Sequence, residues 1–227
     1  GSFNPYGHRV RDSHELGIIP FSETFASSSN IATIKVAALL GESRLDHWIR
    51  RFGFGERVTP DFGGVESRGI YHPLKRWSGL TMGALPIGQE ISVTVPQLAK
   101  AFAMIANGGF SVEPYVVEKV VAMDGEITYR HKAPESRRML SANTIQTMHD
   151  LCHQVVLKGT GVPAGIAEYR VGGKTGTGQI AVPGGYSKDK FTAVFAGFAP
   201  LNNPRLVPVI IVQEPAIKAH YGGSVSG

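Results

Sequence analysis

Two short runs in this 227-residue chain hold side chains whose types and order suit chemistry. One is Ser28-Ser29-Asn30, placed just before an apolar helical stretch. The other is Lys174-Thr175-Gly176-Thr177, placed on a strand after Gly172-Gly173. A lysine with flanking hydroxyls at a cleft edge can hold a carboxylate, by charge and by donated hydrogen bonds. A strand alternates its faces, so Lys174 and Gly176 point one way and Thr175 and Thr177 the other. Gly176 leaves room on the lysine's face for a bound group, and glycine beside a strand lysine signals a close approach by a ligand or another backbone. Taken singly, Ser-Ser-Asn is an ordinary helix cap and Lys-Thr-Gly-Thr an ordinary strand end. Together they match two of the three motifs of serine acyl-transfer enzymes, which also carry a Ser-x-x-Lys nucleophile.

Other chemistries fit poorly. Gly173-Lys174-Thr175 looks like the end of a phosphate-binding loop, but that loop needs glycine where Glu168 stands, and no strand precedes it. His149 and His153 are four apart on one predicted helix, yet no third ligand or His-Glu-x-x-His pattern accompanies them, so no metal is expected. The single cysteine, Cys152, excludes a disulfide framework and a cysteine-based zinc site, and is read as a core residue. The net charge of +5 is spread without basic runs longer than two, so nucleic acid is not an expected partner. With 42% hydrophobic and 18% charged residues the chain is too apolar for disorder, and no window has the length of a membrane-spanning helix.

The elements that must position these residues can be read along the chain. Residues 3–20 are loop-like, and Gly1-Ser2 reads as a cloning scar. A short helix over Ser22–Ala26 leads to one starting at Ile31, capped by Ser or Asn and stopped at Gly41. A further helix covers Ser43–Phe52. Residues 56–93 form a long surface excursion rich in Gly and Pro. Thr94 caps a helix over Val95–Asn107, with Pro96 in its first turn. Asp124-Gly125 marks a hairpin between Val116–Met123 and Glu126–Tyr129. An amphipathic helix covers Ser141–Val156, capped by Ser141 or Asn143, and closes at Gly159-Thr160-Gly161. Strands follow at Arg170–Gly178, Phe191–Pro200 and Arg205–Gln213, with Ala181–Lys190 as a loop and Asn202-Asn203-Pro204 as a turn. Helices first and strands afterwards give an α+β fold, a helical subdomain beside an antiparallel sheet.

From Gly7 to Gly227 the chain resembles the transpeptidase domain of class B penicillin-binding proteins, the septal and elongation peptidoglycan transpeptidases. The residues that carry the resemblance are Ser28-Ser29-Asn30, Phe52-Gly53-Phe54-Gly55, Glu66 with Gly69, and Gly88-Gln89. Thr94-Val95-Pro96-Gln97-Leu98-Ala99, Gly159-Thr160-Gly161, Gly173–Thr177 and Tyr221-Gly222-Gly223 complete the set. The resemblance implies a fold of the serine β-lactamase and penicillin-binding type, over residues 3–227. It implies cross-linking of peptidoglycan stem peptides through an acyl-enzyme, acylation by β-lactams, and no metal or organic cofactor. It further implies contact with cell-wall synthesis and division proteins, and a parent protein anchored in the bacterial cytoplasmic membrane with this domain outside.

Site roles come with it. Ser28 relays protons, for instance toward the departing amine. Asn30 binds the substrate amide and orients the catalytic lysine. Lys174 raises the local potential and bonds toward Ser28. Thr175 and Thr177, with Gly176 between them, bind the terminal carboxylate, and the Thr177 amide is one oxyanion donor. The family's Ser-x-x-Lys precedes its Ser-x-Asn, whereas the 27 residues before Ser28 contain none. The literal match, Ser187-Lys188-Asp189-Lys190, falls in a solvated loop after Lys174. The chain is therefore expected to be a domain incomplete at both ends, inactive alone, and exposing apolar surface where further helices would pack. Alternatives are a non-catalytic penicillin-recognising or partner-binding module, and a serine β-lactamase relative.

Overall fold

Short polar residues start the long helices, because their side chains satisfy amides that the first turn leaves free. The computed structural model describes residues 2–7, 9–62, 64–215 and 221–227. Two short strands, β1 (Ser2–Phe3) and β2 (Val10–Arg11), pair antiparallel. Ser2 of the expected scar thus pairs with Arg11, while Gly1 lies outside the described residues. Helix α1 (Phe21–Ala26) precedes α2 (Asn30–Leu40), capped by Ser29, whose hydroxyl accepts from Ala32 N. Helix α3 (Glu42–Arg51) follows after Gly41. Helix α2 has one charge, Lys35, yet buries only Ile34 and Ala37, and Leu39 is 86% exposed.

The 56–93 excursion is ordered through backbone anchors. It holds β3 (Ile70–Tyr71), paired with β4 (Ile91–Ser92), and a short helix α4 (Thr81–Ala84). Glu66 accepts from the amides of Val58 and Thr59 at 3.0 and 2.9 Å. Helix α5 (Val95–Ala106) begins in a capping box between Thr94 and Gln97. Gln97 is fully buried, and its Nε2 donates to Glu56 O and Arg68 O at 2.8 and 2.9 Å.

The Asp124-Gly125 hairpin is present but shorter than expected, as β5 (Lys119–Val121) and β6 (Ile127–Arg130), with a register shift at Val120/Val121. Helix α6 (Ala142–Lys158) is capped by Ser141 and runs behind the main sheet. That sheet is β7 (Gly172–Val182), β8 (Gly185–Phe198) and β9 (Val209–Gln213), antiparallel in the order β7-β8-β9. Lys174 sits opposite Ala196 and Thr177 opposite Ala193. The last helix, α7 (Gly222–Val225), is a single turn against β7 and β8. The core joins Ile105, Ile145, Cys152, Phe198 and Leu201, so α5 and α6 pack on one face of the sheet.

Strand β9 starts at Val209 and not at Arg205, and one segment differs in kind from its reading. Ala181–Lys190 is not a loop, because β7 and β8 continue through it as a hairpin, pairing Ala181 with Tyr186 and Val182 with Gly185. Both faces there are largely exposed, so no apolar alternation marks the strands; backbone pairing holds them, with Gln179 Nε2 donating across to Ser187 O at 2.9 Å. The glycines before Lys174 answer to the sheet itself. A Cβ on Gly173 would stand 2.5 Å from the Phe195 ring, and one on Gly172 2.9 Å from that of Phe198. Aromatic rings on β8, not a ligand, require the smallest residue at these two positions.

Candidate active site

The turn between α1 and α2 and the first residues of β7 meet at one hydrogen bond. Lys174 Nζ donates to Ser28 Oγ at 2.8 Å and to its neighbour's carbonyl, Thr175 O, at 3.0 Å. Ser28 reaches it from a left-handed backbone conformation, φ 58°, which is costly for a residue with a Cβ. That geometry is fixed on both sides. Before it, the α1 backbone closes with Ser29 N donating to Thr24 O at 3.0 Å. After it, Asp12 caps α2, accepting from Ser29 Oγ at 2.8 Å and from Ile31 N at 3.1 Å.

Burial pushes Lys174 down to about 8, since an ammonium loses hydration away from water. It therefore lies much closer to neutrality than an exposed lysine, while remaining mostly charged at pH 7. Beneath it, Cys152 is 1% exposed, and burial raises its thiol to about 12. A thiol held so firmly protonated is a core group and no nucleophile.

The two threonines of β7 each have a partner already. Thr175 is buried, and its Oγ1 lies 2.5 Å from Thr160 Oγ1. Thr177 is exposed, and its Oγ1 accepts from Gly222 N at 2.9 Å. A hydroxyl that accepts there still has its own proton to give. Asn30 Nδ2 donates to Arg11 O at 3.4 Å, so its amide group is tied to β2. Gly176 leaves the strand open, as a Cβ there would meet Val194 at an ordinary 3.6 Å. The structure thus brings Ser28 directly to Lys174, and places Thr175, Gly176 and Thr177 along the same strand. Ser187, of the literal Ser-x-x-Lys, lies within strand β8 rather than in a loop, and its Oγ accepts from Asp189 N and Lys190 N.

The histidines of α6 are occupied by carbonyls. His149 Nε2 lies 2.9 Å from Ile105 O and His153 Nδ1 3.0 Å from Val171 O, so each of those nitrogens carries a proton. Among the described residues no group of three His, Cys, Asp or Glu side chains could hold a metal.

The family model for the penicillin binding protein transpeptidase domain matches residues 3–227. The chain belongs to this family. Among curated relatives of the transpeptidase family, penicillin-binding protein PbpB of Mycobacterium tuberculosis is 37% identical over 227 residues, covering 95% of this chain and 33% of that protein. PbpB of Mycolicibacterium smegmatis is 36% identical over 226 residues, with 95% and 35% covered. Peptidoglycan D,D-transpeptidase FtsI of Escherichia coli is 31% identical over 221 residues, with 97% and 36% covered. The chain spans about a third of the length of these relatives. Penicillin-binding protein 3 of Mycobacterium tuberculosis, in complex with aztreonam, superposes with a TM-score of 0.88 at 37% identity, covering 96% of this chain and 50% of that one. The apo transpeptidase domain of Burkholderia pseudomallei penicillin-binding protein 3 gives 0.84 at 29% identity, with 98% and 65% covered. The α+β fold of the penicillin-binding transpeptidases is therefore the fold of this chain.

Three residues that touch the site had no role in the sequence reading. Asp12 fixes the Ser29 cap, Thr160 meets Thr175, and the Gly222 amide meets Thr177. Thr160 and Gly222 stand inside two of the motifs that carry the resemblance. Asp12 had no signal, because it stands in a stretch that reads as loop and its partner, Ser29, lies 17 residues away.

Proposed function

We propose that this chain is the acyl-transfer domain of a peptidoglycan D,D-transpeptidase. The observation that carries the reading is the 2.8 Å bond between Lys174 Nζ and Ser28 Oγ, beside the two threonine hydroxyls of an open strand. An ammonium on Ser28 Oγ takes a lone pair and leaves the serine proton free to pass to a leaving amine. The substrate is a stem peptide ending in D-Ala-D-Ala. A serine hydroxyl attacks the carbonyl carbon of the penultimate residue and the C–N bond breaks. The terminal D-alanine leaves as the amine, taking the proton relayed through Ser28. An amine from a second stem peptide then attacks the ester, restoring an amide and freeing the serine. The Thr177 amide supplies one oxyanion donor. Thr175 and Thr177 donate to the terminal carboxylate and Asn30 binds the substrate amide. β-Lactams acylate the same serine by ring opening.

The acyl-accepting serine and its lysine lie in sequence outside these 227 residues, which support this by holding no Ser-x-x-Lys beside the site. The complete protein works at the outer side of the bacterial cytoplasmic membrane with cell-wall synthesis and division proteins. Among the described residues no helix is long and apolar enough to cross a membrane.

Intact mass after incubation with benzylpenicillin tests the reading. The complete gene product gains one β-lactam, and the 227-residue chain gains none. A complete protein that gains none overturns the function, and labelling of the chain alone overturns the placement of the nucleophile.

A further inference from the structure

Thr160 stands where three segments of the site converge. Its amide donates to Ala26 O at 3.1 Å, two residues before Ser28. Its hydroxyl lies 2.5 Å from that of Thr175, the residue after Lys174. Its carbonyl faces α7, where a Cβ on Gly223 would come within 2.0 Å of it. The flanking glycines permit this closeness, for a Cβ on Gly159 would stand 2.3 Å from Ala26 O. One residue on the α6–β7 connection, by its amide, hydroxyl and carbonyl, therefore meets the Ser28 turn, the Lys174 strand and the C-terminal turn.

Two hydroxyls 2.5 Å apart share one proton along their axis. Either Thr160 donates and the Thr175 proton is free, or Thr175 donates and has none to offer. The other threonine of the strand shows how the choice is made at its own position. Gly222 N–H occupies one lone pair of Thr177 Oγ1, which turns that hydroxyl's proton away from Gly222 and leaves it free to donate. We propose that Thr160 does the same for Thr175, as a positioning residue. By donating to Thr175 Oγ1 it presets that hydroxyl as a donor to the carboxylate of the bound stem peptide or β-lactam. This rests on the transpeptidase reading above. Both hydroxyls of β7 are then oriented by groups of other segments, and each is polarised by the bond it accepts.

The test compares acylation of the complete gene product by benzylpenicillin and by its methyl ester, which lacks the anionic carboxylate. In wild type the acid reacts faster. Thr160→Val lowers the acid-to-ester rate ratio about tenfold, the scale of one oriented bond to a charged group. Thr160→Ser keeps the hydroxyl and restores the ratio to within about twofold of wild type. The ratio is independent of the fraction of folded protein, and Thr160→Ala gives a second measure of the same loss. A fall in both rates by one factor, or a serine variant that fails to restore the ratio, overturns the positioning role. A wild type that neither compound acylates overturns the transpeptidase reading instead.

Discussion

Lys174 Nζ and Ser28 Oγ are 146 positions apart in sequence and 2.8 Å apart in space, joined by a bond from strand β7 to the α1–α2 turn. Removing the ammonium should disable acylation. Lys174→Met lowers the rate of β-lactam acylation of the complete gene product by about a hundredfold, the effect of losing a charge-assisted donor in a partly buried site. Lys174→Arg does not restore it, because the bulkier planar guanidinium cannot reproduce the two bonds that one compact ammonium makes to Ser28 Oγ and Thr175 O. Stopped-flow acylation measures both. In wild type the rate with a carboxylate-bearing β-lactam falls as pH rises through about 8, where Lys174 loses its charge.

The slope of stability against pH should change sign at the alkaline end. Lys174 titrates near about 8 when folded against 10.5 ordinarily, so between those values the unfolded chain binds more protons and stability rises with pH. Cys152 does the reverse. Its thiol keeps its proton to about 12 against 9.0 ordinarily, so stability falls across that window. Tyr71, held protonated by burial and its bond to Asp46, adds to the fall above 10.0. Urea midpoints should therefore climb from pH 8 to 9, level off to pH 10 where the Lys174 and Cys152 contributions cancel, and fall above it. In Cys152→Ala the climb extends further before Tyr71 limits it, and a flat wild-type profile over the first interval would contradict the burial of Lys174.

The left-handed backbone of Ser28 separates two substitutions that both delete its hydroxyl. Ser28→Gly should be more stable than Ser28→Ala by about 1 kcal/mol, since glycine adopts φ 58° without a Cβ clash. Both should lose acylation alike. Equal thermal midpoints in the pair would show that the turn holds no strain.

Gln97 links the start of α5 to the long excursion, and its loss should be felt there first. Gln97→Met leaves Glu56 O, Arg68 O and Thr94 N without their side-chain partner, at a cost of at least about 2 kcal/mol. Thr94→Ala, which removes only the cap, costs about 1 kcal/mol. Hydrogen exchange should quicken over residues 56–70 in the first variant and stay near wild type there in the second.

Helix starts were legible because a cap is a local pattern. Ser29, Thr94 and Ser141 each accept from an amide within three residues, so residue type and position suffice. The tip of the β7–β8 hairpin was not, since exposure of both faces removes the alternation that marks a strand. At the site, Ser28 and Lys174 stood out by type, and a family resemblance put them together. Thr160 did not stand out, because a Gly-Thr-Gly run after a helix reads as a stop signal, and its contact with Thr175 is made only once α6 lies behind β7. Gly172 and Gly173 had a correct local signal, close approach, whose cause lay in rings on a strand not yet placed.

Cys152 gives the molecule a built-in clock. It is the sole thiol of the chain, 1% exposed among Ile105, Ile145, Phe198 and Leu201. An alkylating reagent reaches it only when α6 parts from the sheet. Its labelling rate therefore times the breathing of the scaffold that carries Lys174, with no engineered probe. Ligands that brace β7 against the Ser28 turn should slow that clock, which makes thiol labelling a screen for site binders that form no covalent bond.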